Sequence, residues 1–401
     1  MKPNPQKLFR NFPLFLCINL VTFTSMALAN QDISVNKLGQ MPLGTKKGQK
    51  GNNNPFEWSI NLQQSSRWRK QALVGFDNNA KWRTNSILII HNKTIVYERY
   101  ENGFNKEKPH QLWSVSKSIT SALVGLRLKQ LKLNESVYAS QLGPLLREED
   151  KKNIRIRDLL QMSSGIKWNE FYENNPFQSH VVKMLYLSAQ KNMPLFTASQ
   201  EMKDYPGHTF NYSSGETNLL IGILKNTFEK EEDFLTFPWD GLFTPLGMKN
   251  ITWERDGGRH FVGSSYLYMT PRDLAKIGQL YLNKGRWQGQ QILSENYVYN
   301  SFRPSPSSCQ NNRKRSNSFS YGYHWWLNFK CPEKSEHTHK KLSKIPENLI
   351  LALGHHGQIM ALFPEHNLIA IRTGADKKQR FDRKKWLESI YETVLTLKEN
   401  K

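Results

Sequence analysis

Residues 113–125 read Trp-Ser-Val-Ser-Lys-Ser-Ile-Thr-Ser-Ala-Leu-Val-Gly. Ser114 and Lys117 lie three apart where apolar residues with helical spacing begin, which predicts the first turn of a helix. Residues three apart share a helix face, so the Lys117 amine is expected to lie against the Ser114 hydroxyl. A desolvated lysine can take a serine proton, and free N–H groups at a helix start favour developing negative charge. The pair is therefore a candidate nucleophile and base.

The spacing alone is weak, because Ser-x-x-Lys occurs four times, beginning at Ser34, Ser114, Ser164 and Ser188. The ordinary interpretation of any of them is an exposed helix face carrying a hydroxyl and an amine. Ser114 differs from the others in its context. It follows a predicted strand hairpin and leads into the apolar helical pattern.

Residues 1–29 have the pattern of a cleaved secretory signal peptide. A basic start with Lys2, Lys7 and Arg10 precedes a largely apolar run, and small residues precede a cut expected after Ala29. The alternatives are an uncleaved membrane anchor and a lipoprotein signal. A periplasmic or secreted protein is predicted, with no transmembrane segment in the mature chain.

The chain is strongly basic, with a formal net charge of +22. The signal segment carries three of these positive charges and no negative ones, which leaves +19 (22 − 3) on the mature chain. Such a surface favours contact with an anionic cell-wall polymer, although a Lys-rich composition without any charged partner explains it equally well. No basic-aromatic motif indicates nucleic acid, and the oligomeric state stays open. Cys309 and Cys331 form either one disulfide, which export favours, or two unpaired thiols.

Strand patterns cluster near both ends of the mature chain, and helical patterns lie between them. The sequence therefore predicts an α+β fold in which both ends form one antiparallel sheet flanked by helices, with a mainly helical insert. The strands are predicted at residues 86–91, 94–100, 321–329, 349–353, 358–363 and 368–373. The helices include residues 58–76, 157–162, 217–224, 271–282 and 386–397. The predicted organisation is a flexible leader at 30–56 and one domain at 57–398, with an α/β part at about 57–125 and 260–398 and a helical part at about 126–259.

Two later stretches complete the candidate site. Tyr212 stands in Tyr-Ser-Ser, and a buried phenol near an amine can relay protons. Residues 355–358 read His-His-Gly-Gln between two apolar strands, where a glycine permits close backbone approach and an edge N–H can face an oxyanion. Taken alone, a packing tyrosine and a surface histidine pair explain them as well.

Taken in order, these motifs resemble the serine β-lactamase-like family of class C β-lactamases, D-Ala-D-Ala carboxypeptidases and esterases. The resemblance covers roughly residues 85–395. Its flanking segments, residues 159–165, 269–275 and 321–326, look most similar to the 6-aminohexanoate-dimer hydrolase-like branch.

The resemblance implies a role for each matching position. Ser114 would be the nucleophile, Lys117 the base, and Tyr212 the group that passes a proton to the leaving group and activates the deacylating water. Ser214 would fill the last place of a Tyr-x-Asn or Tyr-x-Ser motif. Substrate contacts would come from the Lys-Thr-Gly position, occupied by His355, His356 and Gly357, and the oxyanion hole from the backbone N–H groups of Ser114 and Gln358.

Two departures from the family pattern bear on specificity. His355 replaces a lysine that helps to bind a substrate carboxylate, and Ser214 replaces an asparagine whose amide commonly holds the substrate. Both favour an exported amidase or esterase that works through an acyl-enzyme on small or peptide-like substrates, over an efficient β-lactamase. The alternatives are a D-Ala-D-Ala carboxypeptidase or weak penicillin-binding protein, and a non-catalytic envelope-binding protein on the same fold.

No cofactor or metal is predicted. His337 and His339 have the spacing of paired zinc ligands, but no carboxylate stands in ligand spacing, so a solvated loop is preferred. No Gly-x-Ser-x-Gly elbow or nucleotide-binding glycine loop occurs. Glu170 and Glu216 lie near the motifs, and the preferred interpretation of both is solvated surface.

Overall fold

The structure of this chain is a computed structural model. It describes residues 56–61, 63, 65–76, 82–171, 178–312, 319–329, 342, 344–377 and 381–399. The expected signal peptide, nearly all of the leader, Cys331 and the paired histidines at 337 and 339 lie outside these ranges. Within them, no helix combines the length and apolar character needed to cross a bilayer. Cys309 is disulfide-bonded.

The described strands are, in chain order, β1 Ser59–Ile60, β2 Thr84–His91, β3 Thr94–Tyr100, β4 His110–Gln111, β5 Ile251–Trp253, β6 Leu267–Met269, β7 Arg286–Trp287, β8 Gln290–Gln291, β9 Ser320–Tyr321, β10 Trp326–Leu327, β11 Ile350–Gly354, β12 Gln358–Phe363 and β13 Leu368–Gly374. The described helices are α1 Ser65–Leu73, α2 Ser116–Gln130, α3 Ile156–Leu160, α4 His180–Tyr186, α5 Met193–Ala198, α6 Ser214–Lys225, α7 Glu231–Pro238, α8 Pro271–Leu282, α9 Glu295–Ser301, α10 Pro306–Asn312 and α11 Arg383–Glu399.

Both ends of the domain build one eight-stranded sheet in the order β1-β3-β2-β13-β12-β11-β10-β9. Its neighbours pair antiparallel, except that β1 runs parallel to β3. The β2–β3 turn at Asn92 and Lys93 has φ values of 50° and 63°, the left-handed pair that a tight hairpin matched to strand twist requires. The predicted hairpin is confirmed.

The sheet is buried on both faces, as alternating side chains of β12 show. Met360 and Leu362 face the core that contains residues of α2 and α8, while Ile359, Ala361 and Phe363 face the core that contains residues of α1 and α11. Since neither face meets water, the central strands are mostly apolar. Helices α3 to α7 form the insert between the two halves of the sheet, and α6 packs against α2. The predicted α+β architecture is confirmed.

Two predicted elements differ from the structure. The helix predicted from Trp58 begins only at Ser65, because residues 59–60 pair with β3 and form β1 instead. The strand predicted at 321–329 is two short strands that flank a bend at His324, where φ is 60°. The buried His324 ring bonds to the Leu160 carbonyl at 3.0 Å and so draws this bend out of the sheet toward α3.

A buried ion pair fixes the sheet end beside the turn at residues 355–357. Arg372 is fully buried, and its guanidinium donates to the two Asp376 carboxylate oxygens at 2.8 and 3.0 Å. It also donates to the Gly357 carbonyl at 2.7 Å and to the Thr84 hydroxyl at 2.9 Å. Because a charge removed from water must be fully paired, this cluster is expected to be sensitive to loss of one partner.

We expect Asp376→Ala to lower the free energy of unfolding by about 3–5 kcal/mol, because it leaves the Arg372 charge buried without its partner. The control is Glu149→Ala, which removes one partner of the solvent-exposed Lys152–Glu149 pair and should cost about 0.5 kcal/mol or less. Urea unfolding followed by circular dichroism measures both. Equal losses in the two variants would contradict the assigned role of the buried pair.

Candidate active site

Ser114 lies in a 3₁₀ turn, Trp113–Val115, which continues directly into α2. The turn is held from one side by the Leu112 N–H, which donates to the Leu267 carbonyl at 2.9 Å. Trp113 has φ of 49°, an unfavourable conformation for a bulky residue, and its ring lies edge-on to His355 at 5.3 Å between centroids. The residue before the candidate nucleophile Ser114 is thus held in a strained conformation by its surroundings. Because the turn opens a helix, the Ser114 N–H lacks an intrahelical acceptor.

The Lys117 amine is enclosed by three oxygen atoms. Its side chain is buried, and Nζ lies 3.0 Å from Ser114 Oγ, 3.0 Å from Ser214 Oγ and 3.2 Å from the Ser264 carbonyl oxygen. Burial lowers the pKa of the amine to about 8, and the negative charge of Glu170 partly opposes this. A substantial fraction of Lys117 is therefore neutral near pH 8, as a base must be.

Tyr212 stands immediately before α6, whose N-cap Ser213 accepts from the Glu216 N–H at 3.0 Å. The Tyr212 ring stacks on Trp326 with centroids 5.2 Å apart, and its centroid is 5.0 Å from Lys117 Nζ. Burial raises the pKa of the phenol, and the Glu170 charge adds to this rise, while the Ser114 hydroxyl opposes it. Tyr212 therefore keeps its proton at neutral pH.

Glu170 faces the candidate site, so its interpretation as solvated surface is wrong. Its Oε1 accepts from Ser214 Oγ at 2.5 Å, and its Oε2 accepts from the Ser214 N–H at 2.9 Å and from Trp168 Nε1 at 2.5 Å. These three donors compensate the carboxylate for lost water. The sequence shows only that Glu170 closely follows Gly165. Its contacts with Ser214, which is 44 positions away, depend on the fold.

The solvated interpretation of Glu216 is also wrong. The side chain is 1% exposed, and its Oε1 accepts from Ser164 Oγ at 2.8 Å. Burial raises the pKa of Glu216 well above its usual value. The Ser164/Lys167 match is thereby explained, because Ser164 binds Glu216 while Lys167 extends to the exposed Glu201 at 3.0 Å.

The candidate residues open into one cleft with a volume of about 390 Å³. Aromatic and aliphatic side chains form much of its wall, and charged groups stand at its edge. The lining residues are Trp113, Ser114, Glu170, Tyr212, Phe319, Trp326, Leu353, Gly354, His355 and Arg383.

Of the predicted stretch at 355–358, His355 is the residue that lines the cleft. His356 turns away and its Nδ1 bonds to the Asp376 carbonyl at 2.5 Å, and Gly357, with φ of 81°, packs against the buried ion pair. The Gln358 side chain donates to the Gly374 carbonyl at 2.7 Å, behind the cleft wall.

Gly354 is the glycine that lets the backbone of β11 come close to the Ser114 turn. The sequence did not predict this role. A Cβ atom added at Gly354 would lie 2.5 Å from the Leu112 carbonyl oxygen. The end of β11 therefore meets the Ser114 turn closely because position 354 lacks a side chain. Its signal in the sequence is that Gly354 ends an apolar strand just before His355.

In the described part of the chain, no group of three or more His, Cys, Asp or Glu side chains could hold a metal ion. The site contains a buried amine, two hydroxyls and a phenol, a set suited to proton transfer around a serine nucleophile.

Acylation of Ser114 should require the neutral form of Lys117, so its rate should rise with pH until the amine has lost its proton. The midpoint is expected at about 8, the pKa that burial gives the amine. Labelling with a fluorophosphonate for fixed times at pH values from 5 to 10, quantified by intact-protein mass spectrometry, measures how the acylation rate depends on pH. A rate that is independent of pH, or that falls across this range, would contradict a lysine base.

The chain matches a family model described as Beta-lactamase over residues 75–393. A curated relative, the 6-aminohexanoate-dimer hydrolase of Paenarthrobacter ureafaciens, is 23% identical over 253 residues, which are 61% of this chain. The match spans 64% of the length of that relative.

Solved structures share the fold at low sequence identity. A penicillin-binding protein homologue from Caulobacter crescentus has a TM-score of 0.61 at 11% identity, covering 84% of this chain and 99% of its own. A family VIII carboxylesterase has a TM-score of 0.61 at 12% identity, covering 84% of this chain and 99% of its own. The β-lactamase/transpeptidase-like fold is thus confirmed. With the family model spanning most of its length, the chain belongs to the beta-lactamase family.

Proposed function

We propose that this protein is an exported serine hydrolase that cleaves amide or ester bonds through an acyl-enzyme on Ser114. The observation that carries the proposal is the buried Lys117 amine, 3.0 Å from Ser114 Oγ at the edge of an open cleft. A hydroxyl next to a desolvated amine whose pKa lies near the working pH is an activated nucleophile.

In the acylation step, Ser114 Oγ attacks the substrate carbonyl carbon and its proton passes to Lys117 Nζ. The carbonyl oxygen becomes an oxyanion, for which the Ser114 N–H is one donor because it opens the helix. The second donor is best sought in the backbone at Gly354 and His355, which line the cleft beside the Ser114 turn. We prefer these groups to the backbone N–H of Gln358, because Gln358 is not among the residues that line the cleft.

Collapse of the tetrahedral intermediate breaks the bond to the amine or alcohol, which leaves with a proton from Tyr212. The raised pKa keeps the phenol protonated until the leaving group takes its proton, and the Lys117 ammonium, whose Nζ lies 5.0 Å from the Tyr212 ring centroid, then returns a proton to the phenolate. In deacylation, water attacks the acyl carbonyl and gives up a proton to the neutral Lys117 amine. The bond between the acyl carbon and Ser114 Oγ then breaks, and Oγ takes a proton back from the Lys117 ammonium.

The cleft wall favours an acyl or leaving group with apolar surface. Trp113, Trp326, Phe319 and Leu353 supply that wall. A 6-aminohexanoate-dimer hydrolase and a carboxylesterase among the similar proteins are consistent with amide or ester substrates. With His355 where a lysine is usual, we rank efficient β-lactam hydrolysis below both.

Ser114→Ala should lower turnover of a p-nitrophenyl ester by at least about 10³-fold, because it removes the nucleophile while the fold stays intact. It should also abolish the fluorophosphonate adduct seen by mass spectrometry.

The matched control is Ser188→Ala, which alters an exposed Ser-x-x-Lys match in a 3₁₀ turn that contributes no residue to the cleft wall. It should keep both turnover and adduct. Adduct formation at full stoichiometry in a folded Ser114→Ala variant would sink the proposal.

A second candidate is a D-Ala-D-Ala carboxypeptidase, which Arg383 favours. This guanidinium lines the cleft and brings to it a cation of the kind that binds a terminal carboxylate. Export would place such an enzyme beside its cell-wall substrate.

Release of D-Ala from a pentapeptide ending in D-Ala-D-Ala discriminates the two functions. If the amidase or esterase proposal is right, kcat/KM for a carboxylate-free ester should exceed that for the pentapeptide by about tenfold or more. The reverse order would establish the carboxypeptidase.

Export is a separate proposal that stands on residues 1–29, and the cell-wall partner is one that stands on the net charge of +19 (22 − 3) left on the mature chain. N-terminal sequencing of the protein recovered from the expressing cell's envelope tests export, which predicts a start at Asn30. A non-catalytic envelope binder would co-sediment with peptidoglycan yet form no adduct with any acylating probe.

A further inference from the structure

We propose that Glu170 is a positioning residue that acts through the Ser214 hydroxyl to aim the lone pair of Lys117 at Ser114. The inference rests on the proposed function, in which Lys117 is the base. It assigns a role to a carboxylate that lies outside the Ser-Lys-Tyr set, and it follows from the hydrogen-bond directions at the buried amine.

A neutral lysine amine has two N–H bonds and one lone pair, so it can donate twice and accept once. Lys117 Nζ has three oxygen neighbours, on Ser114, Ser214 and Ser264, at 3.0, 3.0 and 3.2 Å. Only one of the three can therefore face the lone pair. The base is productive when that neighbour is Ser114, whose proton it must take.

The Ser264 neighbour is a backbone carbonyl, which can only accept. Its position is fixed from α6 by Asn218, whose side chain accepts from the Ser264 N–H and donates to Ser264 Oγ, both at 3.2 Å. One N–H of Lys117 is therefore committed to Ser264.

The Ser214 neighbour is a hydroxyl, which could donate or accept. Its proton is directed to Glu170, whose Oε1 lies 2.5 Å from Ser214 Oγ. The oxygen of Ser214 is then left as an acceptor toward Lys117, and it takes the second N–H. By exclusion, the lone pair of the amine points at Ser114.

The remaining groups around Lys117 do not compete for this role. The Tyr212 ring presents its face to the amine at 5.0 Å. His324 is buried, and burial together with the Lys117 charge lowers its pKa to about 3, so it carries no charge at neutral pH. Among the described residues, Glu170 is the carboxylate whose charge acts on the Lys117 amine.

Glu170→Gln has a specific predicted consequence, because Oε2 of Glu170 receives two N–H donors, from Ser214 and Trp168. A glutamine must place its oxygen there, so its NH₂ group takes the Oε1 position and donates to Ser214 Oγ. The Ser214 hydroxyl then turns its proton toward the Lys117 lone pair. The direction of the hydrogen bonds from residue 170 through Ser214 to Lys117 is reversed, and Ser114 loses its proton acceptor.

The test is a double-mutant cycle of Glu170→Gln and Ser214→Ala, read as fluorophosphonate labelling rate and ester kcat from pH 5 to 10. Glu170→Gln should lower the high-pH plateau by about 10- to 100-fold, part of the effect usual for a general base. The rising acid limb of the pH–rate profile should move to lower pH, because the variant removes a charge that raises the pKa of Lys117. A purely structural defect would lower the plateau and leave the limb in place.

If Glu170 acts through the Ser214 hydroxyl, adding Glu170→Gln to Ser214→Ala should change the plateau by less than about twofold. Additive losses, or a Glu170→Gln plateau equal to wild type, would overturn the inference. If instead the proposed function is wrong, the unmutated protein itself forms no adduct on Ser114, which distinguishes the two failures.

Thermal unfolding by circular dichroism checks that each variant is folded. If Glu170→Gln does not fold, the high-pH plateau of Ser214→Ala alone tests the inference. Its plateau should fall by about 10- to 100-fold at wild-type stability, and an unchanged plateau would overturn the inference.

Discussion

Desolvation of one amine is the constraint on which the site depends. A charged lysine strongly prefers water, and enclosing Lys117 among protein oxygens shifts its equilibrium toward the neutral form. The same enclosure limits the amine to a few partners, so the identity and direction of each hydrogen bond matter. In the proposed function, exclusion of water makes Lys117 a base, and the hydroxyl and carbonyl groups that replace the water orient its amine.

The groups that surround the amine come from distant parts of the chain. Ser114 and Lys117 belong to the start of α2, Ser214 begins α6, and Ser264 lies in the loop before β6. The sheet supplies another part of the cleft wall, since Gly354 at the end of β11 lies directly against the backbone at Leu112, just before the Ser114 turn. The buried Arg372 pair braces the neighbouring turn and so connects the stability of the sheet to the shape of the cleft.

Local sequence signals predicted most of the central strands and helices and pointed to Ser114 and Lys117 as a candidate pair. Alternating and helical apolar patterns located the main strands, and α8 was predicted with its N-cap Thr270 and its first residue Pro271, both of which are confirmed. The spacing of Ser114 and Lys117 was informative because one helical turn joins them. The β1 segment was mispredicted as helix because only pairing with β3 makes it a strand.

The parts of the site that could not be predicted are those set by contacts far apart in sequence. Glu170 has no local pattern, and its role depends on meeting Ser214 after the insert has folded. Gly354 differs from other strand-end glycines only through its contact with Leu112. Position in the family motif pointed to all four residues of 355–358, whereas His355 is the one of them that lines the cleft.

The central claim is that Lys117 is a neutral base at working pH, and its titration tests this most directly. Proteins labelled with ¹³C at lysine Cε, with Lys117 assigned by its loss in Lys117→Arg, can be followed by NMR from pH 6 to 11. The account predicts a titration midpoint near 8. A midpoint at or above the ordinary lysine value of 10.5 would contradict it, because the amine would then be charged and unable to take the serine proton.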